Sequence, residues 1–147
     1  ISDAVRKIEG FNGEIFATYD THFGNYADTA EGKKLPVPHC IKDTEGWQLN
    51  SEIAAVLNGK KWTPVEKYTF GSVDLPELIQ KAAGTEEFSV ELIGVCTDIC
   101  VISNALLLKA NFPEAPIAVD EKCCAGVTPE KHNAAIETMK SCQIDIL

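Results

Sequence analysis

The stretch Val90-Glu91-Leu92-Ile93-Gly94-Val95-Cys96-Thr97-Asp98-Ile99-Cys100-Val101 decides how the rest of the chain is read. Leu92 to Val95 is an apolar run of strand length. A second apolar run, Val101 to Ala110, has the length of a helix. The residues between them form a strand-to-helix turn. In open α/β folds such turns lie at the carboxyl edge of the sheet, where ligands bind. Cys100 falls at or just inside the helix start. The positive end of a helix favours thiolate over thiol, so Cys100 is a candidate nucleophile. The N–H groups of the first helical turn have no partner inside the helix and are candidate oxyanion donors. The same cysteine also fits a buried, inert position in an apolar run. The segment by itself leaves both readings open.

Outward from this centre, strands and helices alternate. Ile1 to Gly10 carries apolar residues at 1, 4, 5 and 8 and reads as the tail of an amphipathic helix. No start signal precedes it, so the natural chain is expected to extend upstream. Glu14 to Asp20 is a strand ending in an acidic residue. Thr21 to Trp47 is loop-like, and a loop of that length in a small domain is usually functional. Leu49 to Leu57 is a short helix closed by Asn58-Gly59, and Thr63 to Tyr68 a short strand. Asp74-Leu75-Pro76 opens a helix that Gly84 closes. Pro116 to Asp120 is a strand, and Cys123 and Cys124 read as packing residues in the turn after it. Thr128-Pro129-Glu130 opens a helix with Ala134, Ala135, Ile136 and Met139 on its apolar face. Gln143 to Leu147 is a last strand. This alternation predicts a three-layer α/β/α domain with a mostly parallel sheet, residues 1–147 forming a single domain.

Composition narrows the function. Lys and Arg number 13 against 22 Asp and Glu, a net charge of −9, which argues against nucleic acid or an anionic membrane as partner. No apolar run reaches the length of a membrane span. The 6 cysteines match no small disulfide framework, and Cys96 and Cys100 lack the C-x-x-C spacing of redox and zinc pairs. Reduced thiols and a cytoplasmic location are expected. Glycine fingerprints for dinucleotides, the P-loop lysine and G-x-S-x-G are absent.

Beside the cysteine, two further constellations could carry chemistry. Asp20-Thr21-His22, with Glu31 and His39 downstream, could form a facial set for Zn, Fe or Mn, or consist of ordinary hydrogen-bonding groups. Lys67, at a strand end, could favour a nearby thiolate or be simply solvated. His132 lies on the exposed side of its helix pattern and reads as a surface residue rather than a base for Cys100.

Taken in order, these segments resemble the isochorismatase-like cysteine hydrolases, a family that includes nicotinamidases. Gly94 to Val101 resembles the nucleophile segment, and Lys67-Tyr68-Thr69-Phe70-Gly71-Ser72 the segment of the catalytic lysine. Asp20-Thr21-His22 and Pro38-His39-Cys40 resemble the nicotinamidase metal segments, with Glu31 as the added carboxylate. Cys123 to His132 resembles the C-terminal strand-to-helix passage. The resemblance covers nearly the whole chain.

It implies Cys100 as nucleophile, Lys67 as its electrostatic partner, and backbone N–H groups of Cys96 and Cys100 as the oxyanion hole. A cis peptide is expected at Val95–Cys96. Asp20, His22, His39 and Glu31 would hold a divalent metal, zinc foremost, with iron or manganese as alternatives. Phe23, Tyr68 and Phe70 are the expected lining of the substrate pocket. The implied substrate is a small amide, nicotinamide by closest analogy, and a homo-oligomer is expected.

Two departures qualify this. The family's first strand, whose aspartate accepts the thiol proton, has no counterpart after Ile1. Low hydrolase activity is therefore expected of these 147 residues alone. Thr21 stands where many nicotinamidases have Trp, which bears on the substrate. The rival readings are a hydrolase of another small substrate, a non-catalytic binding module, and a metal-storage or redox-sensing protein.

Overall fold

The computed structural model describes residues 1–147. Along the chain run α1 (Ser2–Gly10), β1 (Ile15–Asp20), α2 (Ala30–Lys34), α3 (Ser51–Leu57), β2 (Trp62–Lys67) and α4 (Leu75–Ala83). Then follow β3 (Val90–Val95), a π-helical turn (Thr97–Val101), α5 (Ile102–Asn111), β4 (Ile117–Ala125), α6 (Pro129–Ser141) and β5 (Asp145–Ile146). Side-chain caps start several helices. Asn50 Oδ1 accepts from Glu52 N–H at 2.9 Å ahead of α3, and Thr128 Oγ1 accepts from Lys131 N–H at 3.2 Å ahead of α6.

Every strand pairing is parallel, as helical crossovers require. β1 pairs with β2, Ile15 opposite Trp62 through Asp20 opposite Lys67. β3 pairs with β4, and β4 with β5. The fold is thus α/β with parallel sheets and helices. No ladder joins β1 to β3. Between them lies a largely apolar cavity of about 500 Å³, lined by Phe16, Ile79, Val90, Leu92 and Leu108 among others, with Cys100 also on its wall. This is where the sheet divides into a two-stranded and a three-stranded part.

The core forms where α4, α5 and α6 bury their apolar sides among the strands. Val65, Ile79, Leu108, Val119, Ile136 and Met139 belong to one contiguous buried cluster. Ala135, Ile136 and Met139 are buried as their helical spacing predicts, but Ala134 is exposed.

Three segments differ from expectation. The 21–47 segment is more ordered than a loop. Tyr26 is buried and donates its hydroxyl to the Leu35 carbonyl at 2.8 Å, and Thr29 caps the short α2 by accepting from Gly32 N–H at 3.0 Å. The helix after β3 begins as a π-turn, because Val101 N–H reaches back to Cys96 O at 3.1 Å. β4 runs beyond Asp120 to Ala125, so Cys123 and Cys124 lie within the strand rather than in a turn. Its register jumps between Leu92 opposite Val119 and Gly94 opposite Cys124, which is the mark of a bulge.

Helix α1 is pinned by Lys7, which donates to Asp120 Oδ2 on β4 at 2.8 Å and pairs with Glu91 on β3. The bond from Lys7 holds the Asp120 carboxyl below its usual range. A depressed folded-state pKa contributes stability above the unfolded value, about 3.9, and that contribution is lost as pH falls through the folded value. Asp120→Asn is expected to lower the melting midpoint near neutrality by about 2–4 °C, the scale of a partly screened ion pair. It should also flatten the acid limb of a melting series. A variant with an unchanged midpoint and an unchanged acid limb would show that the pair contributes nothing.

Candidate active site

The carboxyl ends of β1, β2 and β3 meet at one rim of the sheet. Asp20 ends β1, Lys67 ends β2 directly opposite it, and Cys100 lies in the π-turn that follows β3. Lys67 is buried, with its side chain only 3% exposed. Its ammonium donates to Asp20 Oδ1 at 2.9 Å, to Cys100 Sγ at 3.3 Å and to Thr69 O at 3.3 Å. Burial pushes the lysine pKa down, but the Asp20 carboxylate and the Cys100 sulfur outweigh it, and the net displacement is upward. The ammonium is therefore a lasting positive charge against the sulfur. No carboxylate bonds that sulfur directly. Asp20 reaches it only through Lys67.

The other oxygen of Asp20 faces a second cluster. Oδ2 lies 3.6 Å from His22 Nε2 and 3.8 Å from His39 Nε2. Glu31 Oε1 lies 3.6 Å and 3.5 Å from the same two nitrogens. Ligands about 2.0–2.2 Å from a tetrahedral ion stand roughly 3.3–3.6 Å apart, so three of these spacings match that separation and the fourth, 3.8 Å, is slightly wider. His22 Nε2 is buried without a hydrogen-bond partner, an orphan that a cation would satisfy. His39 Nδ1 bonds Val37 O at 2.9 Å, which assigns the proton to Nδ1 and leaves the Nε2 lone pair facing the cluster. Asp20, His22 and His39 thus form a candidate divalent-metal site, and Glu31 Oε1 stands beside its two histidines.

The π-turn that carries Cys100 is braced from the far side. Asp98 Oδ1 accepts from Val127 N–H at 2.9 Å. Thr97, fully buried, shares a 2.8 Å hydrogen bond with His132 Nδ1. His132 is therefore not the surface residue its helix pattern indicates. Gly126 explains the difference: a Cβ there would come within 2.9 Å of both Asp98 Oδ1 and the His132 backbone, so only glycine lets α6 approach this closely. The peptide between Val95 and Cys96 is cis.

Phe23 and Tyr68 stack with ring centroids 5.8 Å apart, and both rings are exposed, as is Phe70. Tyr68 donates its hydroxyl to Glu66 at 3.2 Å. Trp47 sits in a segment without periodicity, so no local pattern marks it. Its Nε1 donates to Thr21 Oγ1 at 2.9 Å, and its ring lies 5.2 Å from that of Tyr19. Thr21 itself is buried.

Comparison with known proteins agrees with this architecture. The isochorismatase domain family matches residues 1–147. The nicotinamidase/pyrazinamidase PncA from Bacillus subtilis superposes with a TM-score of 0.83 at 24% identity, covering 99% of this chain and 82% of that one. The pyrazinamidase/nicotinamidase from Streptococcus mutans has a TM-score of 0.78 at 25% identity, covering 100% and 82%. The Pyrococcus horikoshii pyrazinamidase, solved in complex with zinc, has a TM-score of 0.73 at 22% identity, covering 99% and 80%. No curated protein matches the chain at a significant level. With the domain matched from end to end, this chain belongs to the isochorismatase family of hydrolases.

Proposed function

We propose that the protein hydrolyses a small amide, nicotinamide to nicotinate and ammonia, through a thioester on Cys100. The observation that carries this reading is the buried Lys67 ammonium held 3.3 Å from the Cys100 sulfur. A thiolate so placed attacks the amide carbonyl carbon, forming a C–S bond. Backbone N–H groups of Cys96 and Cys100 are the proposed donors to the developing oxyanion. Collapse breaks the C–N bond, and the nitrogen leaves as ammonia with the proton that the thiol gave up. Water then adds to the thioester, the C–S bond breaks, and the acid and the thiol are released.

Asp20, His22, His39 and Glu31 are the residues that would hold the cation, and the orphaned His22 nitrogen is what favours one. Bound there, zinc (or iron or manganese) would supply Lewis acidity toward a ring nitrogen or a water molecule. Phe23, Tyr68 and Phe70 would line the ring's approach. One observation favours a different small carbonyl substrate on the same machinery. Thr21 is buried and bonded to Trp47, so the aromatic wall that tryptophan provides in many nicotinamidases is built differently here.

Thiol alkylation tests the reading without a choice of substrate. Burial pushes the Cys40, Cys96 and Cys123 thiols up, and Cys124 to about 11. Near neutral pH, iodoacetamide with peptide mapping is expected to label Cys100 at least about tenfold faster than those four. Exposed Cys142 serves as the reference for an accessible thiol. Lys67→Ala should bring Cys100 down to the Cys142 rate. A Cys100 no faster than the buried thiols would remove the nucleophile from the proposal.

A further inference from the structure

Asn104 is a polar residue in the apolar α5 helix, one turn after Cys100, and it is 5% exposed. Its carboxamide is used at both ends. Nδ2 donates to Cys100 O at 2.8 Å and to Phe70 O at 3.5 Å, and Oδ1 accepts from Ser72 N–H at 2.8 Å. Two of these three partners, Phe70 and Ser72, belong to the turn that follows Lys67. The same turn supplies Thr69 O, which accepts from the Lys67 ammonium at 3.3 Å. One side chain therefore fastens the backbone of the sulfur-bearing residue to the turn whose Thr69 carbonyl accepts from the Lys67 ammonium. No other hydrogen bond joins that turn to α5. The surfaces are flush as well: a Cβ on Gly71 would stand 3.4 Å from Ser103 O and 3.6 Å from Leu107 Cδ2.

We infer that Asn104 is a positioning residue that sets the distance between the Lys67 ammonium and the Cys100 sulfur. The inference rests on Cys100 being the reacting sulfur. The influence of an ammonium on a thiolate falls with distance and falls further when water enters between them. Without the carboxamide, Ser72 N–H and the Phe70 and Cys100 carbonyls lose their shared partner. The turn then lifts from the helix to find water, and takes with it the Thr69 carbonyl that holds the Lys67 ammonium beside Cys100, while Asp20 still holds its other side. Asn104 never touches the substrate. It acts through the lysine.

The test is a cycle of iodoacetamide rate constants at Cys100. Asn104→Ala is expected to slow alkylation about tenfold, a loss of the size seen when a group in direct contact is uncoupled. Leu108→Ala, on the same helix and fully buried, supplies a control for lost stability and is expected to change the rate by less than about twofold. In a Lys67→Ala background, Asn104→Ala should add less than about twofold, because the lysine through which it acts is gone. If Asn104→Ala fails to fold, Asn104→Ser takes its place. A serine keeps a donor toward the carbonyl one turn back and loses the reach to Ser72, so the same slowing is expected. A rate unchanged by the Asn104 variants, or slowed equally with and without Lys67, overturns the inference. A wild-type Cys100 no faster than the buried thiols fails earlier, and overturns the proposed nucleophile with it.

Discussion

Cys100→Ala is expected to abolish the acyl-enzyme, whereas Cys96→Ala still forms it. Incubation with nicotinamide, acid quenching and intact-mass measurement distinguish the two. Residual hydrolysis in Cys100→Ala should fall by at least about 10³-fold, the usual cost of losing a nucleophile. The contrast follows from what each cysteine contributes. The Cys100 side chain meets the Lys67 ammonium at 3.3 Å. Cys96 has no such partner, its thiol is pushed up by burial, and the N–H assigned to it in the oxyanion hole is retained by alanine. No carboxylate bonds the sulfur to take its proton, and a positioned general base contributes about 10²–10⁴-fold. The covalent adduct is therefore the sharper readout. An adduct on Cys100→Ala, or none on Cys96→Ala, would move the chemistry to another residue.

How far the chain could be read in advance depends on the range over which its signals act. Strands β1 and β2, the end of α3, the capped start of α6, and the strand-turn-helix around Cys100 are local. They follow from apolar period and cap residues within a few positions, and the structure has them near where the pattern places them. Lys67 was harder to place. By itself it looks solvated, and only the pairing of β1 with β2 sets it opposite Asp20 and buries it. His132 departs from its helix pattern for the same reason in reverse. Its helical position points outward, but the closeness that Gly126 permits brings the π-turn against it. Asn104 left a local trace that was legible in hindsight, a carboxamide four positions after Cys100 inside an apolar helix. Its partners lie 32 and 34 residues away in the chain, so no periodicity could name them. The cap at Thr29 and the burial of Tyr26 were likewise hidden inside what composition marks as loop.

Asp20 is the residue whose loss is expected to reach furthest, because its two oxygens serve different neighbours. Oδ1 accepts from the Lys67 ammonium at 2.9 Å, and Oδ2 faces the two histidine nitrogens. Asp20→Asn keeps the size of the side chain and removes its charge. Metal retention should then fall by about 10–100-fold or more in affinity, the range found even for groups one shell out from a metal. Zinc titration against a competing chelator measures this. Cys100 alkylation should change in the same variant, because the Lys67 ammonium loses the carboxylate that anchors it and satisfies its burial. His39→Ala separates the two effects. It removes a proposed ligand from the same cluster without touching Lys67, so metal affinity should fall while the alkylation rate stays within about twofold. If both variants lose metal and alkylation together, the cation itself supports the thiolate and the lysine link is secondary. If Asp20→Asn and His39→Ala both hold zinc with the wild-type affinity, these side chains are not its ligands and the proposed site is wrong.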